Sequence, residues 1–291
     1  NGTEWGYDRH ILDMIPGFEG QVRTDPFGNV WGRLDNMSKG EVLKGALEDG
    51  WEGLDKYSMP YVDSSCYENI RCTVREHKDK YIIGYLPGFT FSIMRTIRGM
   101  ENFLMDTLIE VNNVKLLGEK VMDFIEHIVD GYAEIGVDAV MIVEDWGTQT
   151  SLLISPNSWM KIFMPWFKRL AYIVHKKGLH LLMHSCGYIY DIIGNLIDVG
   201  VDALQLDQPG LMGLERLSRE FGGKVTFYCP VDIQTTMQTG NKQKIQYEAR
   251  RMIDLFGRFK GGFIAKDYPQ WEAINVKEQW AQWAREVFMA Y

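Results

Sequence analysis

The chain has 291 residues, 46% hydrophobic and 24% charged, an ordinary composition for a folded protein and enough length for one large domain or two small ones. Its 39 acidic residues exceed 31 Lys and Arg to give a formal charge of −8, and no basic block offsets this, which argues against a nucleic-acid partner. No apolar run reaches bilayer length, no signal peptide is recognisable, and four cysteines in so long a chain make no disulfide framework, so reduced thiols in a cytoplasm are expected. The first residue is Asn1 rather than Met, so a preceding segment is expected; Asn36-Met37-Ser38 reads as a chance match to a glycosylation sequon.

Residues 1–56, with TDPFGNVWGRLDN at 24–36, read as a loop-rich or short-hairpin extension packed on the remainder of the chain. From residue 57 to 291 apolar runs alternate with helical patterns, as in a single β/α domain. The strand candidates are 58–63, 81–88, 139–145, 179–185, 203–207, 225–229 and 261–267. Several lack polar alternation, the pattern of parallel strands covered on both faces. An eighth strand is sought between the second and third runs or near residues 43–55. Between strands, Val114, Leu117, Val121, Phe124, Ile125, Ile128 and Tyr132 keep a helical period, as do Ile245, Ala249, Met252, Ile253 and Phe256. Ser155-Pro156 reads as an N-cap followed by proline at the first helical position, and Pro165 should kink that helix. Such alternation fits a (β/α)8 barrel or an open doubly wound sheet; no glycine-rich nucleotide turn favours the latter, and the length suits a barrel.

In either parallel fold the reactive groups belong at the carboxyl ends of the strands. Those ends carry Asp63, Glu144-Asp145-Trp146, His184-Ser185-Cys186, Asp207-Gln208, Cys229-Pro230 and Lys266-Asp267-Tyr268. His184 and Cys186 stand at i and i+2 of an extended run and so share a side. Asp207 and Cys229 follow His184 at intervals of 23 and 22 residues, one β/α unit each. His184, Cys186 and Cys229 therefore form a candidate zinc site, and three protein ligands with one open position are the pattern of a catalytic zinc. Glu144, Asp145 and Asp207 are candidates for a further ligand, an anchor for His184 or a proton donor, with helix N-capping as the alternative. Tyr85, Phe89, Phe91, Trp146, Tyr188, Tyr228 and Tyr268 lie at or just beyond strand ends and could line an aromatic pocket. Cys66 and Cys72, without a histidine nearby, read as passive, and His10, His77, His127, His175 and His180 as surface or packing residues.

The ordered blocks YIIGYLPGFTFSIMRTIRGMENFLMD (81–106), DAVMIVEDWGTQTSLLISPNSWMKIFMPWFKRL (138–170), HSCGYIYDIIGNLIDVGVDALQLDQP (184–209), FGGKVTFYCPVDIQT (221–235) and GGFIAKDYP (261–269) resemble the uroporphyrinogen decarboxylase-like superfamily. The His-x-Cys-Gly block is similar to that of its zinc- and corrinoid-linked methyltransferase branch. The resemblance implies an α/β fold, a (β/α)8 TIM barrel, with zinc on the first two positions of that motif, His184 and Cys186. In coenzyme M-type and methionine-synthase-like relatives a later cysteine lies in the last strand's loop, where this chain has Tyr268; Cys229 is the expected replacement, and Asp207 falls where some relatives place a glutamate ligand. The EDWGTQTSLLISP style, which includes Gln149 as a substrate-binding candidate, is similar to that of enzymes demethylating methoxylated compounds in anaerobes. That implies methyl transfer from an aryl methyl ether to the cob(I)alamin of a separate corrinoid protein, by a cytoplasmic enzyme that binds neither membrane nor nucleic acid; many relatives are dimers. The alternatives are transfer from methylcobalamin to a thiol such as coenzyme M or to tetrahydrofolate, or a zinc-free lyase or binding barrel. True decarboxylases carry an arginine-rich N-terminal segment for substrate carboxylates, and nothing like it stands here.

Overall fold

The computed structural model describes residues 4–35, 39–268 and 271–291, so the Asn36-Met37-Ser38 match lies outside the described residues. The chain divides into two compact units, Asn1–Lys78 with Pro87–Gly136, and Asp79–Leu86 with Val137–Tyr291.

The first unit begins with a short helix, α1 (Arg9–Leu12), and three strands, β1 (Gln21–Thr24), β2 (Val30–Arg33) and β3 (Glu41–Lys44). These pair antiparallel in the order β1-β2-β3. The expected hairpin character of this segment is thus a small sheet, and of residues 43–55, one place where an eighth strand is expected, 43 and 44 belong to it. Residues 58–63 form no strand: Pro60 has no amide hydrogen for a ladder, and the Asp63 carboxylate accepts from Ser65 N at 2.7 Å to cap a 3-10 turn instead. Helices α2 (Glu68–Glu76), α3 (Thr90–Arg98), α4 (Met100–Ile109) and α5 (Val111–Ile135) complete the unit. The apolar stripe read along residues 114–132 is buried in α5, which ends at Gly136 in the left-handed conformation, where a side chain would be strained. A buried ion pair, Arg98 Nε to Asp106 Oδ2 at 2.8 Å, ties α3 to α4.

The second unit holds a six-stranded parallel sheet ordered β4 (Ile83–Tyr85), β5 (Ala139–Val143), β6 (His180–Ser185), β7 (Ala203–Leu206), β8 (Thr226–Cys229) and β9 (Phe263–Ala265). This is the α/β architecture of the (β/α)8-barrel fold, with six parallel strands among the described residues. Between the strands run α6 (Pro156–Ile162), α7 (Met164–Lys176), α8 (Tyr190–Val199), α9 (Leu214–Phe221) and α10 (Lys242–Phe256), and α11 (Glu278–Met289) closes the chain. Ser155 caps α6 by accepting from Ser158 N at 3.1 Å. Pro165 does more than kink the following helix: α6 stops at Ile162 and α7 restarts at Met164, which leaves the proline in a first turn, where its missing N–H costs nothing.

The sheet has two different faces. Ile83, Ala139, Met141, Leu182 and Ala203 pack together on one. The residues between them, such as Leu181, Met183, Leu204 and Phe227, are buried on the other side, and Phe227 stacks on Phe256 of α10 at 4.4 Å. Burying each such side chain contributes about 1.5–3 kcal/mol. No helix among the described residues is long and apolar enough to cross a membrane.

Candidate metal centre

Register decides which side chains meet. Val143 pairs with His184, His184 with Gln205, Gln205 with Tyr228 and Tyr228 with Ile264, so these five form one row across the sheet. Side chains alternate with period two, and the next row on the same face begins at Asp145, Cys186, Asp207 and Lys266.

The contacts follow that pattern. His184 Nε2 lies 3.5 Å from Cys186 Sγ and 3.4 Å from Asp145 Oδ1. One atom from each of the three residues falls within 4.8 Å of the others, the one such group of potential metal ligands among the described residues. A tetrahedral zinc with bonds of about 2.0–2.3 Å separates neighbouring ligand atoms by roughly 3.3–3.6 Å. The two His184 distances match those edges, and an imidazole, a thiol and a carboxylate are a donor set that zinc accepts, so the residues present fit the metal.

The ring nitrogen facing away from that group is also spoken for. His184 Nδ1 lies 2.5 Å from Gln205 Oε1, and Gln205 Nε2 donates to Asp207 Oδ1 at 2.5 Å. A carboxylate only accepts, which fixes the amide orientation and makes Gln205 Oε1 the acceptor for His184. One proton is therefore held on Nδ1, which leaves Nε2, facing Cys186 and Asp145, as the nitrogen that gives up its proton when a metal binds. Lys266 Nζ donates to the same Asp207 Oδ1 at 2.6 Å, and Gln205 and Asp207 are buried.

Two loops hold the ligands together. Cys186 N donates to Asp145 Oδ1 at 2.8 Å, and Gly187 N to Gln208 Oε1 at 2.9 Å. Gly187 has φ +77°, and a Cβ there would meet Gly147 O at 2.4 Å, so the close approach of the loops after β5 and β6 requires glycine. Burial by itself would lower the His184 pKa, but hydrogen bonding to Asp145 and to Cys186 prevails and pushes it up to about 10 without metal.

The other expected site residues fall in several places. Cys229 is not in the ligand group: it follows Tyr228, so it points to the opposite face of the sheet. It is fully buried, and burial pushes its thiol up, away from the thiolate a metal binds. Asp145 takes its place beside the His-x-Cys pair. Asp207 is engaged by Lys266 and Gln205 rather than by the ligand group, and Glu144 is fully buried, next in sequence to the face-determining Val143 and so turned away from it. Trp146 is fully buried against Trp159, Phe163 and Phe167 and belongs to the helical layer, not to an open pocket. Phe89 and Phe91 are fully buried in the first unit, where Phe91 packs on Phe103. Gln149 is exposed, and Tyr188 is half-buried beside Tyr190. Tyr85, Tyr228 and Tyr268 remain with the site: for all three, burial comes first and the Asp207 carboxylate adds to it in raising the phenol pKa. Gln205 was missed, although a polar residue inside an apolar strand two positions before Asp207 marks the same face. Of the histidines read as surface or packing residues, His175 pairs with Asp202 at 2.8 Å and His180 with the Tyr81 hydroxyl at 2.6 Å. Cys66 and Cys72 are free and exposed.

The family model of uroporphyrinogen decarboxylase (URO-D) matches residues 49–266. No curated protein matches the chain in sequence. Among solved structures, a methyltransferase from Methanosarcina mazei shares the fold at TM-score 0.64 and 14% identity, covering 98% of this chain and 79% of that one. D-psicose 3-epimerase, solved in the presence of D-fructose, aligns at TM-score 0.48 and 10% identity over 82% of this chain and 85% of that one. A 3-keto-D-glucoside 4-epimerase from E. coli aligns at 0.43 and 12%, over 77% and 85%.

Two outcomes are expected of this arrangement. Because the folded His184 pKa lies above its unfolded value near 6.5, its contribution is complete below pH 6.5 and lost as pH rises through 10. Stability of metal-free protein should therefore fall across that window by up to about 1.4 kcal/mol per pH unit, relative to His184→Gln, in urea titrations. Equal slopes for the two proteins would refute the protonated imidazole. Gly187→Ala should keep its far-UV circular dichroism yet bind zinc at least about tenfold more weakly in chelator competition, because the added methyl moves the Cys186 loop.

Proposed function

The chain belongs to the uroporphyrinogen decarboxylase (URO-D) family, and within it we propose a zinc-dependent methyltransferase that moves a methyl group from a methoxylated aromatic compound to the corrinoid of a partner protein. The observation that carries this reading is the Asp145–His184–Cys186 group, whose ligand-edge distances suit a tetrahedral ion with a fourth position left for substrate. Fold likeness to a methyltransferase is consistent with it. Asp145, His184 and Cys186 would hold the zinc, which supplies Lewis acidity toward the oxygen that must leave with the electron pair.

The chain's own groups do the remaining work. Gln205 keeps the His184 proton on Nδ1, and Asp207 with Lys266 keeps Gln205 in place. The rings of Tyr85 and Tyr228, on neighbouring rows of the same sheet face, would hold an aromatic ring and turn its methoxy group toward the metal ligands. Decarboxylation of a substrate rich in carboxylates would need cations free to grip it. At these strand ends the lysine is already occupied by Asp207 at 2.6 Å, and acidic groups surround it, which favours a donor without carboxylate clusters at the reacting end.

The test mixes zinc-loaded protein with a corrinoid protein reduced to its cob(I) state and a panel of methoxybenzoates. The expected result is bleaching of the cob(I) absorption, appearance of the methylated corrinoid and release of the phenol in equal amounts. Asp145→Asn and Cys186→Ser should lower the rate by about 100-fold or more. Transfer only from methylcobalamin to coenzyme M or tetrahydrofolate would reverse the assigned direction, and no transfer in any combination would remove the methyltransferase reading.

A further inference from the structure

Tyr268 stands where the resemblance led us to expect a metal-binding cysteine, yet its surroundings suit a different task. Its ring has two close neighbours, the Trp271 ring 4.8 Å away between centroids and Lys266 Nζ 4.1 Å from its own centroid. Its hydroxyl is buried and makes no hydrogen bond. The Lys266 ammonium over the ring also donates to Asp207 at 2.6 Å, so Tyr268 stands beside the Gln205–Asp207–Lys266 chain. Asp207 is the neighbouring carboxylate that perturbs it, yet the hydroxyl does not meet hydrogen-bond geometry with it. A buried hydroxyl with no hydrogen bond of good geometry is a donor that a substrate oxygen can engage.

We propose that Tyr268 is a catalytic residue that donates a hydrogen bond to the ether oxygen of the substrate as that oxygen leaves. The proposal rests on the methyltransferase reading and adds to it the group that meets the leaving oxygen. In the step, the methyl carbon passes to the electron pair of a cobalt(I) corrinoid while the carbon–oxygen bond breaks. The bonding pair stays on oxygen, and the aryl product leaves as a phenolate that takes its proton from solvent. Burial, then Asp207, raises the Tyr268 phenol above the range of ordinary phenols, so the hydroxyl keeps its own proton and stabilises the oxyanion by hydrogen bonding alone. Lys266 positions the ring without touching substrate.

Tyr268→Phe in the full chain separates this role from two others. Zinc per chain should equal that of wild type, and kcat/KM for an aryl methyl ether should fall by about 10²-fold, the usual loss for one oxyanion donor. The loss should grow with the basicity of the leaving phenolate, being smallest for a nitro-substituted ether and largest for an alkyl-substituted one. Loss of zinc would make Tyr268 a ligand, and a uniform loss across the series would make it a packing residue; either overturns the proposal. A probe that needs no turnover is 4-nitrophenolate, whose absorption reports binding: wild type should bind it at least about tenfold more tightly than Tyr268→Phe. Equal affinities would overturn the donor role. Absence of methyl transfer by wild type would count against the function, leaving Tyr268 to be judged by the phenolate.

Discussion

One hydrogen bond organises the site: His184 Nδ1–H to Gln205 Oε1 at 2.5 Å. Gln205 alone could present either end of its amide, and His184 alone could hold its proton on either nitrogen. The Asp207 carboxylate removes the first freedom because it can only accept, and the hydrogen bond from Lys266 Nζ holds that carboxylate in place. The result is a polarised chain running Lys266, Asp207, Gln205, His184. It ends on Nε2, aimed at Cys186 Sγ and Asp145 Oδ1, so the ligand group is oriented before any metal arrives.

The fold supplies this chain through simple geometry. Parallel register sets His184 beside Gln205, and the two-residue period of a strand lifts Asp145, Cys186, Asp207 and Lys266 onto the same face one row further on. The same period excludes Cys229. A thiol one residue out of phase with Tyr228 faces the helices, however close its strand lies to the site, and burial there holds it as a thiol. The candidate donor set thus follows from sheet parity more than from which residue types the strand ends carry.

That distinction also explains how much the sequence conveyed. Strands such as 139–143 and 180–185 were legible from the apolar runs 139–143 and 181–183, and the His184-x-Cys186 pair because two residues of one strand need no knowledge of register. Asp145 against Glu144 could not be chosen from composition: both end the same strand, and only the phase set by Val143 separates them. Trp146 and Phe91 were misplaced for a related reason, since an aromatic residue beside a strand end looks the same in sequence whether it faces the site or fills the helical layer. Residues 58–63 had the apolar content of a strand but lacked a partner, and pairing is a property of the rest of the sheet.

The central claim is that Asp145, His184 and Cys186, without Cys229, form the metal site. It is tested most directly by zinc per chain, measured by mass spectrometry on wild type, Cys186→Ala and Cys229→Ser, each checked for folding by circular dichroism. About one zinc in wild type, its loss in Cys186→Ala and its retention in Cys229→Ser are what the sheet geometry requires. Loss of zinc in a folded Cys229→Ser protein, or no zinc in wild type, would contradict it.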